Sequence, residues 1–171
     1  AGHCRVIPTA RAANLTMKTL LKLFADWQVQ GVENVPRTGP LIVIANHQSN
    51  VDPPLLAASL PRRLYFIAHQ GLFRSPIAST LLRSYGAFPT TGASLQAIHW
   101  IMNQLKSEKA VALFPEGTRS PGGMKEPISS GVAALALRSG APLLPVGIVG
   151  TERLGPVWRV LMPTGQLRVI V

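Results

Sequence analysis

Acidic residues and cysteine are scarce in this chain. Only seven of 171 residues are acidic, two of them aspartates, and Cys4 is the only cysteine. One cysteine excludes a disulfide framework and a cysteine metal site, and it fits a reducing compartment. Besides His47, the histidines are His3, His69 and His99; none has metal-ligand spacing, so no metal is expected. No run of about 18 apolar residues occurs, so no transmembrane helix is expected. The start, AGHCRVIPTARAAN, has no apolar signal core. Gly-x4-Gly-Lys-Ser/Thr and Gly-x-Gly-x-x-Gly are both missing, which excludes the common nucleotide-phosphate cradles. Gly-x-Ser-x-Gly is missing too, so no serine nucleophile sits on a strained strand-to-helix turn. Aromatic residues make up 6%. That is too few to interleave with basic side chains, there is no recognition helix, and no nucleic-acid partner is expected. The chain begins without methionine and stops in QLRVIV, which reads as a fragment or a processed chain.

What is abundant is positive charge. The net charge is +10 and the pI about 11.1, which favours an anionic partner such as a membrane surface or a phosphorylated small molecule. Twelve of the 17 basic residues are arginine, whose planar fork matches phosphate and carboxylate. Hydrophobic residues reach 47%, too many for a disordered chain. Glycine and proline together contribute 30 residues, a density that predicts many short elements joined by tight turns.

The apolar pattern predicts an amphipathic helix over Leu15–Gln28. Met17, Leu20, Leu21, Leu23, Phe24 and Trp27 share one broad face, and Lys18, Lys22 and Asp26 lie opposite. Such a helix docks on a core or lies in a membrane interface. A turn-rich connector, GVENVPRTGP, follows. Then elements alternate. LIVIA (41–45), RLYFIA (63–68), AVALFP (110–115), LLPVGIVG and LRVIV read as strands. PLLAASL, SPIASTLLRSYG, SLQAIHWIMNQLKSEKA and SSGVAALALRSG read as helices. This order predicts an α/β fold: a single domain with a largely parallel mixed sheet flanked by helices. Residues 1–30 form an N-terminal amphipathic helical segment ahead of the domain at 31–171.

Two polar clusters directly follow apolar strands: NHQSNVD after LIVIA, and PEGTRS (115–120) after AVALF. In open α/β sheets ligands bind beyond the carboxyl ends of the strands. If these strands are parallel neighbours, both clusters open into one crevice. Within the first cluster His47 and Asp52 are five residues apart, which points them about 140° apart on a helix. The segment reads instead as a turn into a helix, with Asp52 as N-cap and Pro53 as first helical residue. Such a turn can fold the carboxylate onto the imidazole, fixing its tautomer and leaving the other nitrogen free as a base. The alternative is a structural capping aspartate beside a histidine bonded to backbone. With no protein nucleophile in sight, a histidine base would activate a hydroxyl of the substrate. In the second cluster Gly117 allows close backbone approach, and Arg119 suits phosphate recognition.

Together the two clusters resemble the glycerolipid acyltransferase family, which includes lysophosphatidic acid acyltransferases. The family carries His-x4-Asp after a strand, here NHQSNVD, and a Phe-Pro-Glu-Gly-Thr-Arg-Ser block some 60–70 residues later, here FPEGTRS. The entry GVENVPRTGPLIVIANHQS and the strand APLLPVGIVG are similar as well, so the likeness runs from about Gly31 to Val171. It implies a glycerol-3-phosphate acyltransferase-like fold and an O-acyltransferase. Fatty acyl would pass from acyl-CoA or acyl carrier protein to a hydroxyl of a lysophospholipid, first of all lysophosphatidate, forming phosphatidate. His47 would be the general base and Asp52 its orienter. Glu116, Gly117, Thr118 and Arg119 would bind substrate, Arg119 at the acceptor phosphate. No cofactor is implied beyond the acyl donor, and no acyl-enzyme. An anionic membrane surface is the implied partner, with the protein peripheral on the cytoplasmic face. Two departures stand out. His69 replaces the lysine of the family's second motif. Thr90, Thr91 and Gly92 stand where that motif has an arginine associated with the acceptor's glycerol phosphate. Another hydroxy-lipid acceptor, a compensating Arg74 or Arg83, or a non-catalytic lipid-binding domain are the alternatives this leaves.

Overall fold

A computed structural model describes residues 8–92, 94–116, 130–154 and 163–171. The β-branched run Leu41–Ala45 (β2) and the run Ala110–Leu113 (β5) are almost wholly buried, as expected of strands covered on both faces. They are parallel neighbours, with Leu41 opposite Ala110 and Ile44 opposite Leu113. Around them lie β1 (Ala25–Gln30), β3 (Leu64–His69), β4 (Ala87–Thr90), β6 (Leu143–Val149) and β7 (Gly165–Ile170), in the order β1-β7-β6-β2-β5-β3-β4. Only the β6–β7 pair is antiparallel. The expected α/β architecture with a largely parallel mixed sheet is what forms.

Alternation along the central strands feeds two cores. Leu41, Val43, Leu64, Phe66, Ala110 and Ala112 point to one face, together with Met17, Leu21, Leu55 and Leu56. Ile42, Val111 and Leu113 point to the other, against Ile101, Leu105 and Val132. The first face carries α1 (Pro8–Phe24), α2 (Asp52–Ser59) and α3 (Pro76–Ser84). The second carries α4 (Leu95–Lys106) and α5 (Ser130–Ser139). Helix α2 is buried nearly all round because α1 lies across it, with Asn14 Nδ2 donating to Ala57 O at 3.0 Å. The connector before β2 is fixed by Arg62. Its guanidinium donates to the carbonyls of Pro36, Thr38, Gly39 and Glu108 at 2.7–3.2 Å, and burial lowers its pKa from the ordinary value.

The amphipathic helix differs from its expected span of Leu15–Gln28. It starts earlier, at Pro8, and ends at Phe24, where the chain enters β1. ADWQVQ alternates apolar Ala25, Trp27 and Val29 with polar partners, and it pairs in parallel with β7, Ala25 opposite Gly165 through Gln30 opposite Ile170. A helical wheel cannot register a pairing with a strand some 140 residues away, so the period of two was absorbed into the helix. Residues 25–30 therefore belong to the sheet. Trp27 faces the core on that strand, and its indole N–H donates to Ser59 Oγ at 3.2 Å. The short strand β4, AFPT, was also unexpected. It forms the sheet's far edge, where a proline such as Pro89 is tolerated.

Candidate active site

Strands β2 and β5 end side by side, so their C-terminal clusters meet. The join is secured first by Asn46. Its amide donates to Ile148 O at 2.8 Å and accepts from Ile148 N–H at 2.7 Å, extending the β2–β6 ladder beyond its last pair, Ala45 and Val146. His47 then leaves the sheet over the end of β5. Its ring stacks on Phe114 with centroids 4.4 Å apart and planes at 27°. Its backbone N–H donates to Glu116 Oε1 at 3.2 Å. Two stretches 69 residues apart are thus locked to one another at the histidine.

The turn from His47 to α2 closes on Asp52, which is 0% exposed. One oxygen, Oδ2, accepts from His47 Nδ1 at 2.9 Å and from the backbone N–H groups of Gln48 and Ser49, both at 2.7 Å. The backbone donors are fixed, so Oδ2 acts as acceptor throughout and Nδ1 carries the imidazole proton. In the neutral ring Nε2 is then the acceptor nitrogen. The His47 side chain keeps 19% of its surface exposed. Asp52 differs from its expected role as N-cap. Val51 takes the cap position with helical φ/ψ and no side-chain bond, Asp52 is the first residue of α2, and Pro53 follows. The carboxylate turns back to the preceding turn, where two N–H groups and the imidazole outcompete the helix's own first amides.

Three further buried oxygens near this turn have no hydrogen-bond partner among the described residues: Asp52 Oδ1, Glu116 Oε2 and Gln48 Oε1. Buried acceptors of this kind call for donors. His47, Asp52 and Glu116 are therefore brought together as expected from the sequence. Gly117, Thr118 and Arg119 lie outside the described residues. Asn46 and Phe114 were missed as supports of the site, although both stand inside the quoted motifs, Asn46 next to His47 and Phe114 two residues before Glu116. Among the described residues no three His, Cys, Asp or Glu side chains gather as a metal site.

A model of the Acyltransferase family matches residues 26–149. The chain belongs to the acyltransferase family. It is 30% identical over 154 residues to the 1-acyl-sn-glycerol-3-phosphate acyltransferase BAT2, chloroplastic, of Brassica napus, covering 86% of this chain and 44% of that protein. It is 28% identical over 144 residues to the mouse (Mus musculus) 1-acyl-sn-glycerol-3-phosphate acyltransferase alpha, covering 78% of this chain and 50% of that protein. The crystal structure of the 1-acyl-sn-glycerophosphate acyltransferase PlsC from Thermotoga maritima superposes with a TM-score of 0.79 at 31% identity, over 94% of this chain and 66% of that one. The chain thus spans about half the length of the curated relatives it matches.

Against this acyltransferase background the two departures acquire structure. His69 ends β3, and its Nδ1 accepts from the Gly71 N–H at 3.1 Å, so the ring caps a local turn. Thr90 ends β4, buried to 8% exposure. Its hydroxyl lies 2.6 Å from Gly92 O and 3.3 Å from Ser94 Oγ, and Ser94 in turn caps α4 by accepting from Ala97 N–H. At the position where an arginine was expected from the resemblance, Thr90 ties β4 to the start of α4. Arg83 donates from Nε to Ser79 Oγ at 3.4 Å, and its Cζ lies 5.6 Å from the Phe73 ring centroid.

Proposed function

We propose that this domain transfers a fatty acyl group from the thioester of acyl-CoA or acyl carrier protein to a hydroxyl of lysophosphatidate, forming phosphatidate. The observation that supports the reading is the 2.9 Å contact of His47 Nδ1 with buried Asp52; a ring held in this way has Nε2 free to serve as a base. Nε2 takes the acceptor's hydroxyl proton. The oxygen attacks the thioester carbonyl, the C–S bond breaks, and the leaving thiolate recovers the proton from the imidazolium. Asp52 steadies the charged ring between these steps. Arg119 holds the acceptor phosphate, while Glu116, Gly117 and Thr118 shape its seat. The domain works as a peripheral protein on the cytoplasmic face of a membrane, where its lipid acceptor resides.

A second reading, another lysolipid acceptor, is favoured by Thr90, whose hydroxyl is engaged locally where a phosphate-binding arginine would stand. One assay decides between them. The protein is given radiolabelled acyl-CoA and vesicles containing one lysolipid at a time, and products are separated by headgroup. Labelled phosphatidate as the main product is the expected result. Preferential labelling of a different headgroup supports the second reading, and thioester binding without transfer to any acceptor contradicts both.

A further inference from the structure

The geometry points to a second ligand site beside the edge strand β4, reaching the residues just before β3 and β5: a pocket for a phosphate group carried on a flat or apolar body. A cavity of about 330 Å³ opens there, walled chiefly by Arg63, Tyr65, Arg83, Phe88, Trp100 and Lys109. This volume falls in the range of small-molecule sites. Arg63 and Lys109 stand just before β3 and β5, whereas Glu116 follows β5. None of the residues lining the pocket belongs to the turn from His47 to Asp52 or to the stretch that follows β5. The pocket is therefore separate from the crevice around His47.

Its charge is unbalanced. Lys109 Nζ lies 4.9 Å and Arg63 Cζ 5.2 Å from the centroid of the same Tyr65 ring. Arg83 also lines the pocket, with its Cζ 5.6 Å from the Phe73 ring. Their hydrogen-bond partners are neutral: Gln104 Oε1 for Lys109, Ser84 O for Arg63 and Ser79 Oγ for Arg83. None of the three forms an ion pair with a carboxylate of the described residues. Two cations held over one ring repel one another, and a dianionic phosphate would neutralise that charge through charge-assisted hydrogen bonds.

The wall behind the cations is aromatic. Trp100 stacks on Phe88 with centroids 5.0 Å apart and meets Tyr65 edge-on at 6.4 Å. Tyr65 rests against the backbone of Gly86, which has a φ of +76°; a Cβ there would meet the ring at 2.9 Å. That seat fixes the ring that both cations share. A purine, or the apolar shoulder of a phospholipid headgroup, can lie on such a wall while its phosphate meets the cations.

Calorimetric titration of the wild-type protein tests this with two probes. The first is adenosine monophosphate, and the second is phosphatidylcholine vesicles with and without phosphatidate. Saturable binding of the nucleotide, or vesicle binding that depends on phosphatidate, is the expected result, and the probe that responds identifies the source of the phosphate. Arg63→Gln and Lys109→Gln, tested separately, should each weaken that binding about tenfold, the scale of one lost charge-assisted hydrogen bond. His47→Ala should leave it unchanged. No saturable binding of either probe, equal binding in both glutamine variants, or loss of binding in His47→Ala would each overturn the assignment.

Discussion

At the residue scale, Asp52 takes up one of the two tasks weighed from the sequence: it holds His47 and does not cap α2. A fully buried carboxylate costs several kcal/mol of lost hydration. Here three N–H donors converge on one oxygen, and hydrogen bonds to a charged group contribute about 1.5–3 kcal/mol each. The same bonds that offset desolvation also fix the imidazole. Glu116 acts one step further out, because its Oε1 holds the backbone of His47 rather than the ring. On the proposed mechanism it is a positioning residue. Glu116→Ala should therefore lower kcat by about ten- to a hundredfold, the penalty of a misplaced base. Glu116→Gln keeps an oxygen for the same N–H and should recover most of that loss. A change confined to KM, with no rescue by glutamine, would mean that Glu116 only binds substrate. His47 and Asp52 were legible in the sequence because a five-residue turn relates them. The grip of Glu116 on His47 was not, since it depends on two strands ending at the same level of the sheet.

At the element scale, the docking of α1 shows where periodicity misleads. Met17 and Leu21 are buried, each contributing about 1.5–3 kcal/mol, and the helix is pinned further by Tyr85, whose hydroxyl donates to Ala13 O at 3.0 Å. Burial raises the Tyr85 pKa from 10.0 to about 12. The folded chain then holds its proton in a range where the unfolded chain has released it, so this group's contribution to stability is intact below pH 10 and falls between pH 10 and 12. Tyr85→Phe should cost about 1 kcal/mol at neutral pH through the lost hydrogen bond. The difference from wild type should shrink as the pH climbs through that window. Urea denaturation at a series of pH values measures it, and a constant difference would show that the phenol is not held this way. The central strands were legible because LIVIA and AVAL are buried on both faces. The edges were not. ADWQVQ follows a helix without a break, and AFPT is too short and proline-bearing to announce itself; each becomes a strand only through a distant partner.

At the scale of the whole molecule, charge and exposed apolar surface act together. Leu15 and Leu23 on α1 and Ile77 and Leu81 on α3 are all at least half exposed, and these two helices pack against each other. Lys18 and Lys22 rise from the same helix, in a chain of net charge +10. No described helix is long and apolar enough to cross a membrane. A surface of this kind fits shallow contact with an anionic bilayer. Replacing Leu23 and Ile77 by serine should weaken vesicle sedimentation about tenfold or more, and added salt should weaken it further. Binding indifferent to both changes would place the contact elsewhere on the protein.

The base at His47 is the centre of this account, and one measurement bears on it most directly: the rate of acyl transfer from labelled acyl-CoA to lysophosphatidate by the wild-type protein and by a folded His47→Ala variant. A general base contributes about 10²–10⁴ in rate. The variant should lose at least that lower factor while still binding both substrates. Transfer at a near wild-type rate would contradict the mechanism.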